Sequence, residues 1–486
     1  MAEIFDGSLP VGLIVLLFLS LAIACGFEFV NGFHDTANAV ATVIYTKSLK
    51  PVPSVVWSGI CNFCGVFLGG IAVAIGIVNL LPVELLVSSG AGAGMAMVLA
   101  LLIAAVIWNV GTWYFGIPAS SSHTLIGAIL GVGLANSLLP GHVFGSGVNW
   151  SKAGEIGLSL LISPLTGFTL AAVLLLVLKK LAPNPNLHRE PEGETPPPWW
   201  IRAILIFTCT GVSFAHGSND GQKGVGLVML ILIGILPASY ALNMDYSKAQ
   251  LAEAYAVSQE LEAWVQRETT AQLMLPTAMT NNGIQNNGAQ SLYATLKENL
   301  HAIQVKLAGK SSVEEIPKQE RFEIRKNILL VTDAFSKLEK NKQLSLPEDM
   351  MASIKAKLKV LRNITEYAPT WVIVAIALSL GIGTMIGWKR IVVTVGEKIG
   401  KSHLTYSQGA AAEMVAMSTI GLSSFLGLPV STTHVLSSGV AGTMVAQKSG
   451  IQADVVKKIA LAWLLTLPVS MLLSGGLFLL FRAILG

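Results

Sequence analysis

From Leu85 to Ser151 the chain carries no Asp, Glu, Lys or Arg, and the windows 369–388 and 459–481 are equally free of charge. A helix of about 20 apolar residues crosses the roughly 30 Å hydrocarbon layer of a bilayer, and each window is long enough to do so. Composition agrees, with 52% hydrophobic and 12% charged residues among 486 and a mean hydropathy of +0.63. Soluble globular chains carry about twice that share of charge, so the chain reads as an all-α polytopic membrane protein. A net charge of +4 without a basic run gives no reason to expect nucleic acid as a partner. The first residues lack a cationic n-region, and no cleavable signal peptide is expected. Cys25, Cys61, Cys64 and Cys209 all lie in apolar segments. Cys61 and Cys64 have C-x-x-C spacing, but zinc or redox use asks for more ligands and polar access, so packing is the better reading.

Apolar segments near 8–30, 36–46, 52–80, 95–115, 118–138 and 156–178 are followed by a Pro- and Glu-rich linker at 184–198. A second series lies near 200–216, 221–243, 369–388, 405–426, 429–447 and 459–482. Two blocks show that the halves are copies. Phe29-Val30-Asn31-Gly32-Phe33-His34-Asp35 lines up with Phe214-Ala215-His216-Gly217-Ser218-Asn219-Asp220, matching Phe, Gly and Asp. Gly116-Ile117-Pro118-Ala119-Ser120-Ser121-Ser122-His123 lines up with Gly427-Leu428-Pro429-Val430-Ser431-Thr432-Thr433-His434, and Gly131 then matches Gly442. The offsets are 220 − 35 = 185 and 434 − 123 = 311, and their difference, 126, is close to the length of the charged stretch 245–366. That stretch has amphipathic segments at 318–342 and 351–362 and no spanning one, with 276–291 read as its most mobile part. The expected division is a first repeat at 1–182, a linker at 183–199, a second repeat at 200–244 and 367–486, and an extramembrane helical insert at 245–366.

Short-loop Lys and Arg favour the cytoplasm. They cluster at Lys47/Lys50, Lys179/Lys180/Arg189/Arg202, Lys389/Arg390/Lys398/Lys401 and Lys448/Lys457/Lys458, and none precedes Lys47. All clusters fall inside if 8–46 is one broken passage and 95–138 is a re-entrant hairpin with its tip at Pro118–His123. In the second half, 200–243 then passes outward, 369–388 inward, 405–447 forms the matching hairpin and 459–482 passes outward. Each half crosses an odd number of times, so the two repeats are inverted, with broken helices and re-entrant helical hairpins. The insert would be periplasmic.

Inverted repeats with polar residues at helix breaks mark a secondary transporter with a site near the bilayer midplane. A carboxylate at that depth costs roughly 2.5–3.5 kcal/mol on insertion scales, which makes Asp35 and Asp220 candidates for function. Helix starts inside the membrane suit an anion, because their N–H groups are free and carry positive partial charge. Ser120, Ser121, Ser122, Ser431, Thr432 and Thr433 all stand at such starts and could surround a tetrahedral oxyanion; the alternative is that they only cap helices. Two carboxylates would repel an anion unless a cation accompanies it, so Asp35 and Asp220 are read as a coupling-cation or proton site. Lys223, one turn beyond Asp220, allows a buried ion pair there instead. His123 and His434 are candidate proton carriers or hydrogen-bonded packing residues. Glu28 and Glu413 are further membrane-level carboxylates, suited to proton relay or to helix pairing. The paired carboxylates argue against an anion channel, and the duplicated Ser, His and Asp against an enzyme, which needs one placed nucleophile and base. No metal or cofactor is expected.

The duplicated G-x-N-D block, here Gly32-Phe33-His34-Asp35 and Gly217-Ser218-Asn219-Asp220, together with the duplicated P-x-S-[ST]-[ST]-H block, resembles the inorganic phosphate transporter (PiT) family, in particular its bacterial low-affinity permease branch. The resemblance covers roughly 8–243 and 369–482 and excludes the insert. It implies phosphate symport with H⁺ or Na⁺ across the bacterial inner membrane, with phosphate carried free or as a divalent-metal complex. Asn38 and Asn219 join the hydroxyls as expected substrate contacts. Two departures bear on coupling: His34 replaces the Asn of the first G-x-N-D, and Lys223 stands where the first repeat has Asn38. An ammonium at that place would stand in for Na⁺, favouring protons, with His34 among the groups that could carry them. Sulfate or another tetrahedral oxyanion remains an alternative substrate, and a homodimer is the candidate assembly.

Overall fold

The structure is a computed structural model that describes residues 10–35, 37–80, 90–145, 148–274, 283–341, 343–344 and 346–485. The regular elements among its described residues are helices, with one isolated bridge between Gly400 and Ile451. The chain divides into two compact units, Leu232–Tyr367 and the flanking Val11–Ile231 with Ala368–Gly486.

In the larger unit, α1 (Val11–Asp35), α2 (Ala37–Tyr45), α3 (Pro51–Leu68), α4 (Ala72–Val78), α5 (Gly90–Tyr114), α6 (Ser121–Ser137) and α7 (Trp150–Leu181) come from the first half. The second half supplies α8 (Trp199–His216), a π-helical turn (Gly217–Gly221) and α9 (Gln222–Ile235), whose last residues belong to the smaller unit. Helices α10 (Lys248–Met274), α11 (Gly283–Leu307), α12 (Lys318–Lys340) and α13 (Glu348–Asn363) also lie in that unit, and the second half resumes with α14 (Thr370–Met385), α15 (Lys389–Val393), α16 (Tyr406–Phe425), α17 (Thr432–Gln447) and α18 (Ala453–Leu485). Local sequence sets many of the starts. Pro51 opens α3, Ser120 and Ser431 cap α6 and α17, and Thr405 with Gln408 forms a capping box on α16.

Among the described residues six helical runs are long and apolar enough to cross a membrane: Val11–Tyr45, Pro51–Leu68, Ala96–Tyr114, Trp150–Leu181, Trp199–Ile235 and Ala453–Ile484. A seventh appears if Thr370–Met385 and Lys389–Lys398, bent by 56°, count as one. Thr36, between α1 and α2, where the break expected within 8–46 would be looked for, lies outside the described residues.

Packing exchanges the two halves. Helix α1 lies against α14 and α8 against α3, while α6 packs on α18 and α17 on α7. Gly32 and Gly217 show how closely: a Cβ on Gly32 would overlap the Leu380 carbonyl, and one on Gly217 the Asn62 carbonyl. The motif glycines are thus contact points at which backbones touch. Outside, α7 and α18 expose leucines such as Leu161, Leu165, Leu464 and Leu472, the surface a lipid-facing helix needs.

The smaller unit packs α10 (Lys248–Met274), α11 (Gly283–Leu307), α12 (Lys318–Lys340) and α13 (Glu348–Asn363) around Leu261, Trp264, Tyr293, Leu300, Ile324, Phe335 and Leu358. It begins at Leu232, whereas composition places the insert from 245. Of the apolar residues between, Leu236, Tyr240, Ala241 and Leu242 are buried, and Leu242 joins this core; hydropathy cannot distinguish that from membrane. Arg321 donates to the carbonyls of Ala238, Glu314 and Ile316. Arg325 donates to Ala241 at 3.3 Å and Thr365 at 2.8 Å, tying the entering and leaving strands of the chain together. Burial lowers the Arg325 pKa to about 10, so it stays cationic at neutral pH. The stretch 276–291, expected to be the mobile part, lies partly outside the described residues, and α11 begins at Gly283.

Candidate functional site

The polar residues of the four repeated blocks meet in one buried cluster. Asp35 ends α1 with 2% of its surface exposed, and Asp220, fully buried, sits in the π-helical turn. Such turns widen the helix by one residue and are frequent at functional sites. Around Asp35 the two halves mix: Ser121 donates to Oδ2 at 2.7 Å, and Thr433 of the other half donates to Oδ1 at 2.5 Å. His34 Nδ1 lies 3.2 Å from Oδ1, and His34 Nε2 lies 3.1 Å from Thr112 Oγ1.

Asp220 has a fixed counterion. Lys223 Nζ donates to Asp220 Oδ1 at 2.6 Å, to the Val430 carbonyl at 3.0 Å and to Ser122 Oγ. These are all three protons an ammonium has. A carboxylate, a hydroxyl and a backbone carbonyl are also the oxygens that a bound alkali cation would collect. Thr432 Oγ1 stands 3.5 Å from Asp220 Oδ2.

The six hydroxyls divide by role. Ser120 and Ser431 accept from the backbone N–H of His123 and His434, so in this conformation they act as caps. Ser122 donates to the Val430 carbonyl, and Ser121, Thr432 and Thr433 turn toward the carboxylates. Asn219 bridges to the chain before α17, donating to Leu428 O at 3.1 Å and accepting from Val430 N–H at 3.2 Å. The side chain of Asn38 lies outside the described residues. His123 and His434 stack with ring centroids 4.5 Å apart, and Trp463 covers His434 at 4.0 Å. His123 Nδ1 is 2.8 Å from Ser120 Oγ, while His434 Nε2 has no hydrogen-bond partner among the described residues. Glu28, fully buried, accepts from Asn31, and Glu413 accepts from Thr42 and Thr208, joining α16 to α2 and α8.

One residue of the cluster is missed by the sequence reading. His216, 2% exposed, places Nε2 3.4 Å from Asp220 Oδ2 and 3.9 Å from Asp35 Oδ2. Asp35, His216 and Asp220 bring ligand atoms within 4.8 Å of one another, close enough to share a small cation. The signal was a mismatch: the first copy of the block has Asn31 where the second has His216.

This cluster has hydroxyls that cap helices and bond to carboxylates, and the one beside an imidazole, Ser120 at 2.8 Å from His123 Nδ1, is engaged as the cap of α6. It sets buried charged groups beside hydroxyls from both halves of a helical membrane protein, an arrangement of the kind found at the sites of secondary transporters. The chain belongs to the phosphate transporter family, whose model matches residues 31–474. It is 45% identical over 482 residues to the low-affinity inorganic phosphate transporter PitB of Escherichia coli, covering 96% of each chain. Identity to PitA of the same organism is 43% over 500 residues, covering 98% of this chain and 99% of that one. A probable low-affinity inorganic phosphate transporter of Bacillus subtilis is 26% identical, covering 95% and 96%. A solved structure titled as the sodium-dependent phosphate transporter shares the fold, with a TM-score of 0.55 at 19% identity over 97% of this chain and all of that one. The protein is a transporter of the inner membrane and not an enzyme.

Proposed function

We propose that the protein imports inorganic phosphate by proton symport, holding the anion between the two hydroxyl-bearing helix starts with Asp35 as the coupling pole. The reciprocal packing of α1 on α14 and α8 on α3, and of α6 on α18 and α17 on α7, supports two inverted repeats whose hairpin tips meet at the site. In this reading α5–α6 and α16–α17 are the re-entrant hairpins. The N–H groups at the starts of α6 and α17, with Ser121, Thr432 and Asn219, take phosphate oxygens once the hairpins part.

The observation that carries proton coupling is the Lys223 ammonium, set among Asp220, Ser122 and the Val430 carbonyl. A fixed cation that saturates one pole leaves no place there for Na⁺, and the remaining pole, Asp35, is flanked by histidines. Imidazoles are the side chains whose ordinary pKa lets them exchange protons near neutral pH.

The alternative, sodium coupling, is favoured by the likeness to a solved structure titled sodium-dependent and would use the Asp35 pole. Uptake of labelled phosphate into proteoliposomes separates the two readings. A pH gradient without Na⁺ should drive accumulation, and a Na⁺ gradient at equal pH should not. Competition by sulfate, and uptake with and without Mg²⁺, tests whether the cargo is phosphate alone or a metal–phosphate complex.

A further inference from the structure

We propose that Arg390, with Lys389 beside it, holds the phosphodiester group of an anionic phospholipid where the turn after α5 meets the bend after α14. The site is separate from the buried cluster and does not depend on which cation couples transport.

Local sequence builds the meeting point. Helix α5 ends in Trp113-Tyr114 and continues as Phe115-Gly116, while α14 ends at Met385 and turns through Ile386-Gly387-Trp388 into Lys389 and Arg390. Each turn passes through a glycine with positive φ, 65° at Gly116 and 74° at Gly387, a conformation that glycine takes up without strain. Side chains then tie the two turns together. Trp113 Nε1 donates to the Gly387 carbonyl at 2.8 Å, Thr394 Oγ1 to the Gly116 carbonyl at 2.8 Å, and Arg390 Nη1 to the Tyr114 carbonyl at 2.7 Å. The Arg390 guanidinium carbon lies 5.2 Å from the centre of the Trp113 ring and 5.0 Å from that of Tyr114, within the range of a cation–π contact.

These contacts fix the guanidinium without neutralising it. The Tyr114 carbonyl takes one of its five N–H groups, and no carboxylate pairs with Arg390 or Lys389 among the described residues. A guanidinium held flat on aromatic faces, with its fork still open, is ready to bond two oxygens of one phosphate group.

Depth and surroundings say which phosphate. Helix α14 runs 16 residues to this point, about 24 Å, and the apolar part of α5, Ala96–Tyr114, runs 19 residues, about 28 Å. The hydrocarbon layer is about 30 Å thick, so both helices finish near one edge of it. Trp and Tyr rings collect at that level, and the long side chains of Arg and Lys reach from there to the headgroups. Phe115 is 74% exposed, Tyr114 59% and Ile386 52%. That apolar flank suits the glycerol and acyl part of a lipid and offers nothing to a free phosphate ion. The bias of short-loop Lys and Arg assigns this edge to the cytoplasmic leaflet, where such cations attract anionic lipid. The turn braced in this way leads directly into Ser120, Ser121 and Ser122.

The test is native mass spectrometry of the full-length protein released from detergent, titrated with phosphatidylglycerol and, separately, with phosphatidylcholine. Wild-type protein should retain a phosphatidylglycerol that phosphatidylcholine does not replace. Arg390→Gln keeps an N–H for the Tyr114 carbonyl but loses the charge and the fork, and should weaken retention by about tenfold. Lys389→Gln removes one charge and should weaken it by about fivefold. Arg390→Lys keeps the charge without the fork and should fall between wild type and Arg390→Gln. Equal retention by Arg390→Gln and wild type overturns the site, as does equal retention of the two lipids by wild type. Should Arg390→Gln not fold, unchanged retention in both Lys389→Gln and Arg390→Lys overturns it in the same way. Displacement of the lipid by inorganic phosphate, beyond that caused by chloride at equal ionic strength, assigns the guanidinium to the free anion and overturns the lipid site. Loss of a dimer mass in Arg390→Gln assigns the patch to a second copy of the chain and also overturns it.

Discussion

Replacing Lys223 separates a structural tie from a coupling device. Lys223→Met removes an ammonium that is 2% exposed and bonded to Asp220 at 2.6 Å, the Val430 carbonyl at 3.0 Å and Ser122. Among the described residues, Asp220 would keep Thr432 at 3.5 Å and His216 at 3.4 Å. Removing one partner of a buried pair costs roughly 3–5 kcal/mol, because the other charge is left without compensation. Adding Asp220→Asn removes that charge, so the double variant should regain most of the loss, with a coupling energy of about 2–4 kcal/mol. The assay is a double-mutant cycle of denaturation in detergent, run beside phosphate uptake. Lys223→Asn makes a different demand. An amide oxygen can ligate Na⁺ where an ammonium repels it, so this variant should either gain Na⁺-stimulated uptake or lose uptake outright. A coupling energy near zero, or full Na⁺-independent uptake by Lys223→Asn, would refute the role given to the ammonium.

Asp35→Asn and Asp220→Asn should each abolish gradient-driven uptake while protein still reaches the membrane, checked by transport and by surface labelling. Ser121→Ala and Thr432→Ala should each weaken phosphate binding by roughly 1–3 kcal/mol if their hydroxyls turn from the carboxylates to the anion; titration calorimetry reads this, and unchanged affinity in both returns them to positioning Asp35 and Asp220. Gly217→Ala forces a methyl group onto the Asn62 carbonyl and should destabilise the α3–α8 contact by about 1–3 kcal/mol, as overpacking does, seen as a lowered melting temperature. Arg325→Met strands the carbonyls of Ala241 and Thr365 and should loosen the helical insert by roughly 1–3 kcal/mol per unpaired group, measured as faster amide exchange in 245–366.

Asp35, Asp220 and the two hydroxyl blocks are visible in the sequence because duplication repeats them at fixed steps, and because a carboxylate or a run of hydroxyls is conspicuous among apolar residues. Lys223 is visible for the opposite reason, as a place where the copies differ. His216 belongs to the same kind of signal, yet the aligned Phe, Gly and Asp on either side draw attention to what matches, and Asn31 against His216 passes as background. Partnership across the halves is not legible at all: sequence shows that α1 and α8 are copies, but not that each packs on the other half's third segment. Nor does hydropathy reveal that the smaller unit begins at Leu232 or that Leu242 joins its core, since an apolar run fits lipid and protein alike.

The bond from Thr433 to Asp35 spans 398 residues of chain. At the usual 5–20 residues per second, about 20 to 80 s pass between the synthesis of the carboxylate and that of its hydroxyl. Lys223 completes Asp220 within one helical turn, whereas Asp35 enters the bilayer long before the other half exists. Until then the first half can offer Asp35 only its own His34 and Ser121, and the bond from Thr433 is missing. A ribosome that stalls after the first half would leave a product whose α6 and α7 lack the helices they pack on. Such a fragment presents unpaired contact surfaces and a membrane-buried acid, the features by which quality-control proteases can recognise an orphan.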